Sequence, residues 1–453
     1  MRVRYFGTDG IRGPYGDSHV NPRFFQMLGG TCREFLRTER PSDTLAIAVG
    51  RDPRPSGIDL QNAFIRGFSA PNTRVYDLGV APTPAIAAAV IRLGTDLGIA
   101  ITASHNPFSD NGIKFFDDLG TKLDVSSERS FEALLDDTSG NDFPVSVSEA
   151  GPVESDDAVR HYVEATMGIL PARCLSGWTV VVDTANGAMV RTTPSVLRAL
   201  GADVVHLGQY TDGESINEGC GSEHPEILAT TVCACGARLG IAHDGDGDRA
   251  VFVDERGAIL TGDESLAILG HSAIRSGSLA KSTLVATILS NHGLDRSIAA
   301  AGGRVERVDV GDRNVVRRMV KAGFTVGGES SGHFVLRDYA PTGDGLVAAL
   351  KIIGAMLDTG DPLSKLRQCV HLYPQATRDL NVKEKIPLDS LPGLQSEIAE
   401  IENSFAAGGR ILVRYSGTEP KIRLLVEAED PHAVAAAMQA LAKAIRSHLP
   451  FAG

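Results

Sequence analysis

Leu97-Gly-Ile-Ala-Ile-Thr-Ala-Ser-His-Asn-Pro107 is a short apolar run that breaks into small and polar residues. It has two counterparts further along the chain, Leu239-Gly-Ile-Ala-His-Asp-Gly-Asp-Gly-Asp-Arg249 and Phe324-Thr-Val-Gly-Gly-Glu-Ser-Ser-Gly-His333. Each reads as a buried strand that ends in a loop rich in chemically active residue types. A second apolar run follows at once in every case: GIKFFDD at 112–118, RAVFVDE at 249–255 and GHFVLRD at 332–338. The gap is too short for a crossover helix, so the two strands of each pair are expected to run antiparallel.

Upstream of each loop the pattern continues to repeat. A first strand is expected in 45–52 (LAIAVGRD), 178–187 (WTVVVDTANG) and 282–293 (STLVATILSNHG), and a second, after a helix, in 73–79, 202–208 and 303–309. That βαβ rhythm implies parallel pairing, so each sheet is mixed. The chain therefore reads as three similar α/β domains, 1–151, 152–255 and 256–368, followed by a smaller α+β domain, 369–453. The last contains strands near 410–414 and 421–427, then a helix with Asp430 as N-cap and Pro431 in its first turn. Three equivalent loops at the same end of three similar sheets are expected to converge on one cleft.

The bulk numbers bound the function. The chain has 453 residues, 43% of them hydrophobic, enough for several domain cores. With 56 acidic against 44 basic residues, the net charge of -12 disfavours general binding to nucleic acid. Residues 1–10 lack the apolar run of a signal peptide, and no stretch is long and apolar enough to span a bilayer. Six scattered cysteines do not make a disulfide framework, so a reduced, cytoplasmic setting is expected. Cys220, His224, Cys233 and Cys235 are the one cluster that suggests zinc, but Cys233 and Cys235 are two apart in a helix-like stretch and would face apart.

Asp244, Asp246 and Asp248 alternate with glycine, so in an extended chain their carboxylates project to one side. An all-oxygen site suits Mg²⁺. An EF-hand fits part of the spacing, with Glu255 at the twelfth position, but Arg249 stands where the sharp turn needs glycine. Ser104 lies in the loop equivalent to this triple-aspartate loop. There is no G-x-S-x-G elbow around it, so acyl transfer has no local support. A serine that only caps a turn is the ordinary reading; its place in the repeat points instead to a phosphoryl carrier facing a metal ion. Arg414-Tyr-Ser-Gly-Thr-Glu-Pro420, with Arg423 beyond it, has the small residues and guanidinium groups of a phosphate cradle, though a plain turn between strands would look similar. Glu329 and the serines after it supply groups that bind sugar hydroxyls. His333 and Lys114 read either as proton carriers or as structural residues.

Taken in order, TASHNP, DGDGDR, GESSGH and RYSGTEP resemble the α-D-phosphohexomutase superfamily over essentially the whole chain. Phe6-Gly-Thr-Asp-Gly-Ile-Arg-Gly13 and Asn106-Pro-Phe-Ser-Asp-Asn-Gly-Ile-Lys-Phe-Phe116 are most similar to the bacterial phosphoglucosamine mutase branch. The resemblance implies four domains, the last similar to the TATA-binding-protein fold. It implies an intramolecular phosphotransferase that interconverts glucosamine 6-phosphate and glucosamine 1-phosphate through a 1,6-bisphosphate, on the way to cell-wall precursors.

By the same resemblance Ser104 is the phosphoserine and, with Asp244, Asp246 and Asp248, a ligand of one Mg²⁺. Glu329 and Ser331 contact sugar hydroxyls, and Arg414, Ser416, Gly417, Thr418 and Arg423 hold the phosphate that is not transferred. Arg12, Lys114, Arg249 and His333 fall near the transferring phosphate or in proton transfer. Ser330 and Tyr415 depart from the branch, which usually has Gln and Pro there, so a phosphoglucomutase or phosphomannomutase on the same scaffold stays open. A non-catalytic phosphosugar-binding protein, monomeric or homodimeric, is the alternative of another class.

Overall fold

The computed structural model describes residues 4–7, 9–39, 43–138, 151–405, 408–416 and 420–450. The first repeat forms a sheet of β1 (Ile11–Pro14), β2 (Leu45–Arg51), β3 (Thr73–Val80), β4 (Leu97–Ile101), β5 (Asp110–Phe116) and β6 (Val153–Ser155), in the spatial order β1-β5-β4-β2-β3-β6. The second holds β7 (Thr179–Asp183), β8 (Asp203–Leu207), β9 (Leu239–His243) and β10 (Ala250–Asp254), ordered β10-β9-β7-β8. The third holds β11 (Thr283–Thr287), β12 (Arg304–Val308), β13 (Val326–Gly328) and β14 (Phe334–Leu336), ordered β12-β11-β13-β14.

The repeat read from sequence is therefore one topology used three times. Strands β2, β7 and β11 each pair in parallel on both sides. The pairs β4/β5, β9/β10 and β13/β14 are antiparallel, as the short gaps between them require. Every residue of β4, β9 and β11 is buried, in keeping with their continuous apolar sequence. Two short strands carry no sequence signal. Strand β1 extends the first sheet beyond β5, and β6, which lies past residue 151, pairs with β3. In the first core, Phe6 and Phe115 both pack against Phe131, and the Phe115 and Phe131 ring centroids are 5.1 Å apart.

By its contacts the chain forms two compact units, one of 1–289 with 301–369 and one of 290–300 with 370–453. The second unit is built on β15 (Gln375–Asn381), β16 (Gly409–Tyr415) and β17 (Lys421–Ala428), an antiparallel sheet ordered β15-β17-β16. The helix Pro431–His448 buries Val434, Met438, Leu441 and Ile445, one face at helical spacing, in the same core as Leu424 and Val426 of β17. Asp430 caps it by accepting a 2.9 Å hydrogen bond from the His432 backbone N–H. Sequence periodicity groups 290–300 with the third repeat, whereas its contacts lie with the C-terminal sheet. Asn291 Nδ2 donates to the Tyr373 carbonyl and the Tyr373 N–H donates back to Asn291 Oδ1, both at 2.9 Å.

Candidate active site

Ser104 follows β4 by three residues, is 1% exposed, and has φ +54, a left-handed conformation uncommon outside glycine. Its backbone N–H donates to Thr102 Oγ1 at 2.9 Å, and that hydroxyl donates to Asp52 Oδ2 at 2.6 Å. The turn directs Ser104 Oγ to Asp244 Oδ2, 2.6 Å away on the second sheet's loop.

The triple-aspartate loop is a tight turn. Gly247 has φ +78, and its N–H donates to the Asp244 carbonyl at 3.1 Å. The extended-chain argument thus has the wrong geometry, but the turn achieves the expected clustering: one oxygen from each of Asp244, Asp246 and Asp248 lies within 4.8 Å of the others. All three residues are buried. Burial, then the neighbouring charges of Asp248 and Asp246, push the Asp244 carboxyl up to about 7. Asp246 Oδ1 and Asp248 Oδ1 are buried with no hydrogen-bond partner. Buried, all-oxygen, mutually repelling and in part unsatisfied, this donor set fits a hard divalent cation such as Mg²⁺.

Among the described residues this is the only such cluster of potential metal ligands. Cys233 and Cys235 are exposed free thiols. Glu255, the twelfth position of the rejected EF-hand, instead accepts hydrogen bonds from the Ser364 N–H and hydroxyl.

Lys114 is no exposed strand lysine. It is 1% exposed, with Nζ 2.6 Å from Asp246 Oδ2 and 2.7 Å from Asp248 Oδ2. Burial alone would lower its pKa, but Asp246, Asp248 and Asp9 hold it well above the ordinary value, so the group is an ammonium here. His333, from the third repeat's loop, is also buried, with Nε2 3.7 Å from Asp248 Oδ2 and 3.3 Å from Asp312 Oδ2. Burial would lower its pKa, and Asp312 and Asp248 raise it above the ordinary value.

The loops of three sheets therefore meet at Asp248. Arg12, on β1, pairs with Asp9 and reaches the Ala103 carbonyl at 3.3 Å, while its buried Nε has no hydrogen-bond partner. Arg249 donates its backbone N–H to Asp244 Oδ1 at 3.2 Å and its Nη1 to Glu223 at 3.3 Å. Glu329 Oε1 accepts from the Gly311 N–H at 2.9 Å, and burial raises its carboxyl above the usual range. Ser330 and Ser331 are exposed at the turn beside it.

Sequence reasoning missed Asp9, Lys122 and Asp312. Lys122 bridges Asp9 of the first repeat and Asp312 of the third. Asp9 stands in the FGTDGIRG segment, three residues before Arg12, and that spacing was its one visible signal. Lys122 and Asp312 belong to no motif.

In the C-terminal unit, Arg414 on β16 lies opposite Arg423 on β17. Arg423 Nε is 3.8 Å from Asp379 Oδ2. Ser416 is buried; its N–H donates to the Lys421 carbonyl at 2.8 Å, and Lys385 Nζ donates to its carbonyl at 2.6 Å. The Tyr415 hydroxyl donates to the Ile386 carbonyl at 2.7 Å. Gly417 and Thr418 lie outside the described residues. Facing guanidinium groups on adjacent strands have the charge to hold an anion.

Among the described residues no helix is long and apolar enough to cross a membrane. Comparison with known proteins agrees with this architecture at every level. Four domain profiles match in order: phosphoglucomutase/phosphomannomutase alpha/beta/alpha domain I over 3–141, domain II over 160–257, domain III over 261–373, and the C-terminal domain over 379–444. The phosphoglucosamine mutase of Anaeromyxobacter sp. (strain Fw109-5) is 42% identical, over 98% of this chain and 96% of its own. That of Aeromonas hydrophila is 40% identical, over 99% of this chain and all of its own.

Among solved structures, a phosphoglucomutase/phosphomannomutase family protein from Burkholderia thailandensis superposes with a TM-score of 0.82 at 23% identity, over 99% of this chain and 100% of that one. The N-acetylphosphoglucosamine mutase of Aspergillus fumigatus, solved with GlcNAc-6P and magnesium, superposes with a TM-score of 0.70 at 16% identity, over 99% and 96%. With four matching domains and relatives this similar over their full length, the chain belongs to the phosphoglucomutase/phosphomannomutase family.

Proposed function

We propose that the protein is a phosphoglucosamine mutase in which Ser104 carries the phosphoryl group between the 6- and 1-positions of glucosamine monophosphate. One observation carries the reading: the Ser104 hydroxyl, at the end of one sheet's loop, is hydrogen-bonded to Asp244 of the triple-aspartate turn at the end of another. Likeness at about 40% identity to curated phosphoglucosamine mutases supports the amino-sugar substrate.

In this reading phospho-Ser104 donates its phosphoryl group to the free hydroxyl of the monophosphate. The hydroxyl oxygen forms the new P–O bond, the bond to Ser104 Oγ breaks, and the hydroxyl proton passes to a neighbouring base. The resulting 1,6-bisphosphate reorients and returns its other phosphoryl group to Ser104. Asp244, Asp246 and Asp248, with an oxygen of phospho-Ser104, would hold Mg²⁺. The ion supplies charge neutralisation for the transferring group.

Arg12, with its buried Nε lacking a partner, and Arg249 bind the transferring phosphate. Lys114 and His333 are the proton carriers, and they flank the same Asp248 oxygen, at 2.7 and 3.7 Å. Glu329 and Ser331 orient sugar hydroxyls, while Arg414, Ser416, Gly417, Thr418 and Arg423 hold the phosphate that stays in place. Cytoplasmic sugar phosphates are the matching substrate pool, and the domain division 1–151, 152–255, 256–368 and 369–453 assigns one site loop to each part. Parallel assays with glucosamine 6-phosphate, glucose 6-phosphate and mannose 6-phosphate test the reading. The amino sugar should have the highest kcat/KM, and a clear preference for glucose or mannose would reassign the substrate, as Ser330 and Tyr415 would then explain.

A further inference from the structure

Arg54 is among the largest fully buried side chains of the protein, and each of its guanidinium N–H groups has an acceptor. Nε pairs with Asp52 Oδ2 at 2.9 Å. Nη2 donates to the carbonyls of Ser104 at 2.9 Å and Asn106 at 2.8 Å, and Nη1 donates to those of Asp110 at 3.0 Å and Pro107. One side chain thus fastens four carbonyls of the Ser104 loop. A second grip comes from the other sheet. Asn217, beyond β8, donates Nδ2 to the same two carbonyls, Ser104 at 2.9 Å and Asn106 at 3.0 Å. Its own backbone, at φ +61, is tied by its N–H to the Ala185 carbonyl at 2.9 Å. Ser104 is itself left-handed, a conformation that persists only where surrounding contacts over-determine it.

We infer that Arg54 and Asn217 are positioning residues that clamp the Ser104 turn from two domains, so that Oγ faces Asp244 before any substrate arrives. The inference rests on the proposed phosphoryl-carrier role of Ser104. It assigns Asn217 a task a merely structural loop residue would not have: linking the geometry of the nucleophile to the docking of the second repeat on the first.

Asn217→Gly tests this, because glycine accepts the left-handed backbone and removes only the side-chain donor. The variant should keep the wild-type Tm within a few degrees and KM within about twofold, yet lose roughly 10- to 100-fold in kcat, the scale of a small misplacement of a reacting group. Backbone amide exchange across 102–110 should quicken at the same time. Arg54→Lys, with a single ammonium in place of the planar fork, should lose at least as much kcat. Unchanged exchange across 102–110 in Asn217→Gly would overturn the inference, as would wild-type kcat, or a loss of kcat that follows a loss of folded protein. If the wild-type protein showed no mutase turnover, the functional reading would fail instead, and the exchange measurement would still decide whether the clamp exists.

Discussion

Ser104 Oγ lies 2.6 Å from Asp244 Oδ2, and the two residues occupy matching places in two copies of one topology, just past β4 and just past β9. The repeat brings nucleophile and metal turn together without any local sequence linking them. His333, past β13, completes the set from the third copy. The consequences can be measured.

Metal dependence follows from the turn. Exhaustive EDTA treatment should abolish mutase activity, and Mg²⁺ should restore it better than Zn²⁺, because every donor is an oxygen. Asp246→Ala should raise the Mg²⁺ concentration needed for half-maximal activity by at least about tenfold, read by titration. Full activity after EDTA would contradict the site.

Lys114 is the counter-charge to Asp246 and Asp248 in a buried place. Lys114→Met keeps the bulk and removes the charge. In EDTA it should cost roughly 3–5 kcal/mol of stability by urea unfolding, the usual cost of leaving a buried charge unpaired. A loss below about 1 kcal/mol would show that the ammonium does not hold the aspartates together.

Asp344 is buried, and burial pushes its carboxyl up to about 6 although it accepts a 2.6 Å hydrogen bond from the Tyr162 hydroxyl. Its folded pKa lies above the unfolded one, so the native state binds the extra proton between about pH 4 and pH 6. The stability this group confers is thus present below about pH 4 and is lost as pH rises to about 6. Asp344→Asn keeps the shape and the helix cap. Relative to it, the wild-type protein should lose on the order of 3 kcal/mol from pH 4 to pH 7. Parallel stability curves for the two proteins would refute the assignment.

Arg423 faces Arg414 across β17 and β16. If the pair holds the phosphate that is not transferred, Arg423→Ala should raise KM for the monophosphate by roughly 10- to 100-fold with a smaller change in kcat, since charge-assisted contacts to a bound phosphate act on ground and transition states alike. Steady-state kinetics in both directions check this. A fall in kcat alone would move Arg423 to the transferring phosphate.

Much of this was legible because buried strands read as apolar runs and the same loop recurs. The antiparallel partners of β4, β9 and β13 follow from the gap length alone. Local rules failed where tertiary packing decides. GIKFF looks like a strand with one exposed lysine, but both faces of β5 are covered, so Lys114 turns into the acidic turn. DGDGD reads as extended, whereas Gly247 permits a left-handed bend. Lys122, Asp312, Arg54 and Asn217 are single residues with no periodic neighbours, and only the meeting of sheets gives them partners. Strand β1 is four residues long and β6 three, too short for alternation to show.

The most direct test is to incubate the enzyme with hexose 1,6-bisphosphate carrying radiolabelled phosphate and to locate the label by peptide mapping. The account predicts label on the peptide containing Ser104, its chase into monophosphate on adding unlabelled substrate, and neither label nor turnover in Ser104→Ala. Substantial mutase activity in Ser104→Ala, or label on another residue, would contradict it.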